Sequence, residues 1–145
     1  MTPGSVKTEL VTADRSPVTV DSSVWIGHLR NVLSRPVQTL RSLFGQRPLL
    51  VGDIVLLEVL RGARDERHAA RLTRDLQNFT VVPMLGESLA IQAARNYRLL
   101  RGLGITVRAS ADLIIGPYCI EHGHELLHDD RDFEPMRLHL GLQVI

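Results

Sequence analysis

The sequence predicts an α/β fold, a mostly parallel central sheet of four to five short strands flanked by helices. Short β-branched or apolar runs of three or four residues alternate with stretches of helical apolar period. Those runs carry no polar face, so both of their sides are expected under helices, as in a parallel sheet. The 145 residues, 44% of them hydrophobic, suffice for one core and not comfortably for two.

Residues 1–17 read as a flexible leader, with Pro3, Gly4 and Pro17 and no periodicity. The domain is expected over 18–145. Val18-Thr19-Val20 is the first strand, and Asp21-Ser22-Ser23 offers three N-caps for a helix ending near Arg30. A second helix follows Pro36, with Val37, Leu40, Leu43 and Phe44 on one face. Leu49-Leu50-Val51 is a second strand; Asp53 is placed to cap the helix behind it and Gly62 to stop it. Residues 65–76 form a charged amphipathic helix with Ala69, Leu72, Thr73 and Leu76 inward. Phe79-Thr80-Val81-Val82 is a strand ended by Pro83. Residues 87–101 form a helix with Ala90, Ala93, Ala94, Tyr97 and Leu100 at helical spacing. The next helix opens at residue 109 and runs to about Ile120, with Pro117 inside the pattern, where a kink or break is expected. Leu126-Leu127 is a buried strand, residues 132–140 a final helical turn or two, and residues 142–145 a last strand.

Composition excludes several classes. Cys119 is the only cysteine, which excludes an internal disulfide framework and fits a reducing compartment, so a cytoplasmic location is expected. No run approaches the roughly 18 apolar residues of a membrane span, and the N-terminus lacks the apolar core of a secretion signal. Net charge is +1 from 17 basic and 16 acidic residues, and Lys7 is the only lysine. Arginine suits bidentate phosphate contacts; codon bias would give the same excess.

Acidic residues stand where apolar ones are expected. Asp21 follows the first strand directly. Glu58 interrupts Ile54-Val55-Leu56-Leu57 and Val59-Leu60, and Asp112 sits between Ala111 and Leu113-Ile114-Ile115. Asp129, Asp130 and Asp132 follow Leu126-Leu127. Each has a plain structural reading: Asp21 and Asp112 as helix caps, Glu58 on a solvated face, one of the last three as a loop residue. Buried together without a partner they repel one another and take up protons. A divalent cation removes that cost, and hard carboxylate oxygens suit Mg²⁺ or Mn²⁺. Waters on such ions can attack a phosphodiester.

In order and surroundings these segments resemble the PIN-domain nucleases. Val20-Asp21-Ser22-Ser23 resembles their opening strand with Asp-Ser/Thr-Ser, and Glu58-Val59-Leu60-Arg61-Gly62 their glutamate helix. Ala111-Asp112-Leu113-Ile114-Ile115 is similar to their Asp-x-x-Ile-Ala helix, and residues 126–133 to their Leu-Leu-Thr-x-Asp-x-Asp-Phe segment. The likeness runs from Val18 to Ile145, with size and spacing similar to bacterial VapC toxins. It implies a three-layer PIN-like fold and metal ligands at Asp21, Glu58, Asp112 and Asp130. Asp132 matches the second aspartate of the last motif, and Ser23 a hydroxyl that supports the site. Two departures stand out: His128 where the family has Thr, and Gly116-Pro117, which should end the third motif's helix early.

The implied activity is Mg²⁺- or Mn²⁺-dependent cleavage of single-stranded or looped RNA, by a toxin that a cognate antitoxin neutralises. A homodimer is implied as well. With the four ligands set aside, 12 acidic residues face 17 basic ones, leaving +5 outside the site. Arg61 and Arg64 lie close behind Glu58 and are candidates for phosphate contacts, or simply a solvated face. A housekeeping RNA-processing nuclease and a non-catalytic RNA- or protein-binding module remain alternatives. A phosphoryl-transfer enzyme with Asp21 as nucleophile would need a late lysine, which is missing. His122, His124 and His128 with Asp129 or Asp130 would make a zinc site of unusual spacing. Ser22 or Ser23 as a nucleophile lacks a Gly-x-Ser-x-Gly elbow. Trp25 and Phe44 are expected in the core, with the helix of Leu40, Leu43 and Phe44 also able to line a groove for an antitoxin segment.

Overall fold

A computed structural model describes residues 15–145. Of the expected leader, residues 1–14 lie outside the described residues. Ser16 is held by Arg47, whose Nε donates to the Ser16 carbonyl at 3.0 Å.

Four strands form one parallel sheet in the order β3-β2-β1-β4: β1 (Val18–Val20), β2 (Leu49–Gly52), β3 (Thr80–Val82) and β4 (Glu125–Leu127). β1, β2 and the two leucines of β4 are fully buried, while β3 is an exposed edge. The expected last strand is reduced to one parallel bridge, Leu126 to Val144. Leu142 is buried and the chain touches β4 only around Leu126, so too few residues align for a ladder.

Parallel strands need crossovers, and helices supply them: α1 (Ser22–Leu29), α2 (Arg35–Leu43), α3 (Asp53–Arg61) and α4 (Glu66–Gln77) before β3, then α5 (Glu87–Gly102) and α6 (Ser110–His122) before β4. A 3₁₀ turn (Arg131–Phe133) and α7 (Glu134–Leu140) follow. Helices α1 to α4 pack on one another, and α5 to α7 form a second group. Asp21, expected as a cap, is the N-cap of α1; Ser34 accepts from Val37 N–H at the start of α2, and Asp65 from His68 N–H at the start of α4, two caps not singled out from the sequence. Asp53 is instead the first residue of α3, behind Gly52. Its Oδ1 accepts from Met84 N–H at 3.2 Å, tying the end of β3 to α3.

Two local expectations are corrected. The buried stripe of α5 is Leu89, Ala93, Asn96 and Leu100, not the alanines at 90 and 94, which face solvent. Alanine is small enough for either environment, so its spacing alone does not orient a helix. Helix α6 also runs through Pro117 to His122. The ring costs one backbone bond, but residues 115–119 are all buried, and that packing outweighs the loss.

Gly116 lets Met136 approach. A Cβ there would lie 2.2 Å from Met136 Sδ, and Met136 has no exposed surface into which to retreat. Gly116→Ala is therefore expected to destabilise the fold by about 1–3 kcal/mol, despite the roughly 1 kcal/mol that alanine gains in a helix. The urea midpoint reads this out; an unchanged or higher midpoint would show that Met136 can repack.

Candidate functional site

Register builds the site. Val20 of β1 pairs with Leu127 of β4, and Asp21 N–H extends the ladder to the Leu127 carbonyl at 2.9 Å. Asp21 and the segment after Leu127 therefore leave the sheet side by side at its carboxyl edge, where parallel α/β sheets carry their ligands.

Asp21 is both N-cap and pocket residue. Its Oδ2 accepts from Ser23 N–H at 3.3 Å and from the Ser23 hydroxyl at 2.6 Å. Ser23 Oγ in turn accepts from Asp129 N–H at 3.2 Å, joining α1 to the loop after β4. Ser22, considered from sequence as an N-cap or a nucleophile, has a different place. Its hydroxyl donates to Glu58 Oε1 at 3.1 Å and so fixes the carboxylate of α3 against α1. A hydroxyl beside the strand-end aspartate was the available signal; its partner 36 residues on was not.

Asp112 enters from the first turn of α6 and is 4% exposed. Oxygens of Asp112, Asp130 and Asp132 lie within 4.8 Å of one another, the one group of three or more candidate metal-binding side chains among the described residues. Asp130 caps the 3₁₀ turn, its Oδ1 accepting from Asp132 N–H at 2.9 Å. Asp129 is exposed and outside the group. The histidines do not make a zinc site. His122 stacks on Tyr118 at 4.1 Å with His124 beside it, whereas His128 lies beyond the other end of β4.

Five carboxylates thus act on one another. Burial is the largest cause pushing Asp112 up to about 8, followed by the charges of Asp130, Asp21, Asp132 and Glu58. Burial also raises Asp21, against the opposing hydrogen bonds from Ser23 and Ser22. Glu58 is raised by burial too, with the Ser22 hydroxyl opposing and Asp21 adding to the shift. Arginine gives little relief: among the described residues the ion pair to this group is Arg61 to Glu58 at 3.9 Å, with Arg61 72% exposed.

A cation fits this donor set on an observation independent of charge. Oδ2 of Asp112 is buried and has no hydrogen-bond partner among the described residues. A buried carboxylate oxygen without a donor is costly, and hard oxygen ligands are what Mg²⁺ and Mn²⁺ take. Two clefts open beside the carboxylates. One, of about 390 Å³, is lined by Glu58, Ile26, Leu29, Arg30, Arg64 and others; the second, about 400 Å³, by His128, Asp129, Asp130, Arg131 and Glu134.

Fold and pocket define an α/β protein with an acidic pocket at the carboxyl edge of a parallel sheet. The chain belongs to the PIN-domain family, whose model matches residues 18–137. It is 29% identical over 132 residues to VapC ribonuclease Mb1587 of Mycobacterium bovis, covering 88% of this chain and 96% of that protein. Its fold is that of VapBC2 from Rickettsia felis, solved bound to a DNA fragment from its promoter, at a TM-score of 0.72 and 14% identity over 89% of this chain and 97% of that one. VapBC-1 from nontypeable Haemophilus influenzae superposes with a TM-score of 0.69 at 16% identity, over 89% and 96%.

Proposed function

We propose that the protein is a metal-dependent endoribonuclease of single-stranded or looped RNA, the toxin of a toxin–antitoxin pair, active in the cytoplasm. The observation that carries this reading is the meeting of Asp112, Asp130 and Asp132 beside Asp21 and Glu58, with one Asp112 oxygen buried and unpartnered. Membership of the PIN family and the name of the Mycobacterium bovis relative support the ribonuclease class. The VapBC structures of the same fold support an antitoxin partner. No helix among the described residues is long and apolar enough to cross a membrane.

Asp112, Asp130 and Asp132 would hold Mg²⁺ or Mn²⁺, with Asp21 and Glu58 completing the acidic wall. When bound, the ion supplies an activated water and neutralises charge developing on the scissile phosphate. The chain's own groups prepare for this. Ser23 orients Asp21, Ser22 orients Glu58, and Asp112 retains a proton near neutral pH until a cation displaces it. Arg30 and Arg64 line the cleft beside Glu58, where an RNA backbone would need cations. A homodimer is part of the same reading, carried by the family resemblance.

Purified protein incubated with total RNA and Mg²⁺ or Mn²⁺ is expected to cut it, and to stop cutting in EDTA. Tight RNA binding with no cleavage in either metal would overturn the enzyme and leave a binding module. Cleavage unaffected by a small DNA-binding protein encoded immediately upstream, or no such gene, would favour an RNA-processing enzyme over a toxin.

A further inference from the structure

The loop after β4 and the 3₁₀ turn that follows it carry two of the three grouped carboxylates, Asp130 and Asp132, and the backbone there is pinned at three amides. Asp129 N–H donates to Ser23 Oγ at 3.2 Å, Asp130 N–H to His128 Nδ1 at 3.1 Å, and Asp132 N–H to Asp130 Oδ1 at 2.9 Å. The middle bond comes from a side chain that the family resemblance does not provide. His128 is partly buried, its ring 5.0 Å from that of the fully buried Phe133. That packing fixes the imidazole plane, and the accepting role of Nδ1 places the proton of the neutral ring on Nε2. An acceptor bonded to the N–H two residues on is the device by which Asn, Asp, Ser and Thr close a turn.

We propose that His128 is a positioning residue whose Nδ1 closes the turn at Asp130 and so aims the Asp130 and Asp132 carboxylates at Asp112, presetting the metal pocket. The inference rests on the metal reading above. His128 here does with a ring nitrogen what a threonine hydroxyl would do in the family pattern. The ring also buttresses Phe133, which lies next to Asp132. Without the acceptor, Asp130 N–H is released, and the loop need no longer hold both carboxylates toward α6. Partners that orient metal-binding carboxylates typically contribute about 10- to 100-fold in metal affinity.

The test is a calorimetric Mn²⁺ titration without RNA, on the full chain and on four variants. His128→Phe keeps a ring against Phe133 and removes the acceptor; His128→Ala removes both. His128→Asn and His128→Thr restore a short acceptor. The expected result is a loss of Mn²⁺ affinity of about 10- to 100-fold in the Phe and Ala variants, with Asn and Thr recovering most of it. Amide exchange at Asp130 in the metal-free protein should quicken in Phe and Ala and slow again in Asn and Thr. Should Ala fail to fold, Phe against Asn and Thr still separates acceptor from packing. Wild-type affinity in the Phe variant, or Asn and Thr as weak as Phe, overturns the proposal, as does a wild type that binds no Mn²⁺. If Mn²⁺ binding follows the expected order and RNA is never cut, the ribonuclease reading falls while the role of His128 stands.

Discussion

Asp112→Asn is expected to abolish RNA cleavage while the protein stays folded. Asp112 is the deepest of the grouped carboxylates, 4% exposed, and the only one with an oxygen both buried and unpartnered. Asparagine keeps its size and shape but removes the charge. If a bound cation contributes several kcal/mol to neutralising the transition state, weakening it should lower the rate at least about a thousandfold, at 1.36 kcal/mol per decade. Asp21→Asn is expected to have a similar effect, since Asp21 is the buried end of the Ser23 network. The assay is cleavage of an RNA cut by the wild type, with Mn²⁺ raised until it saturates. Full activity in either variant removes that residue from the site. Activity that returns at high Mn²⁺ would show that the residue holds the ion and takes no other part.

The positions of those acids were legible because a carboxylate inside an apolar run contradicts its surroundings. Asp21 after Val18-Thr19-Val20, Glu58 within α3 and Asp112 within α6 stand out for that reason, and all three converge in the fold. The parallel sheet was legible from strands with no polar face. What sequence leaves open is decided by tertiary packing. Pro117 reads as a helix end, yet five consecutive buried residues carry α6 across it. The alanines of α5 suggest one face, and Leu89 and Asn96 select another. Asp132, the least definite of the acidic positions in the sequence, is drawn against Asp112 and Asp130 by a 3₁₀ turn that no spacing announces. Ser22 meets Glu58 only because α1 and α3 pack together.

In the metal-free protein the same carboxylates should make stability fall as pH rises, the reverse of the usual behaviour of acidic groups. Asp112 is pushed up to about 8 from an ordinary 3.8, chiefly by burial and then by Asp130. Between those values the folded chain binds the proton and the unfolded chain does not. Stability then decreases with pH, because its slope follows the protons bound unfolded minus those bound folded. Stability is greatest below about pH 4 for this group and is lost progressively up to about pH 8. Asp21 and Glu58, raised for the same reason, act in the same direction. In EDTA at pH 8.5, Asp112→Asn should therefore be more stable than the wild type by about 3 kcal/mol, roughly half of what 1.36 kcal/mol per pKa unit gives, because solvent at the open clefts screens the group. For a chain of this length that is a rise in Tm of about 5–10 °C. Near pH 4 the two should melt together. Saturating Mn²⁺ should erase the difference at high pH, because a ligand at a hundred times its Kd adds about 2.7 kcal/mol to the folded state that binds it. A wild type whose metal-free Tm is flat from pH 5 to 8.5, or an Asp112→Asn variant that melts lower at pH 8.5, would show that the carboxylates are already relieved by something other than a cation.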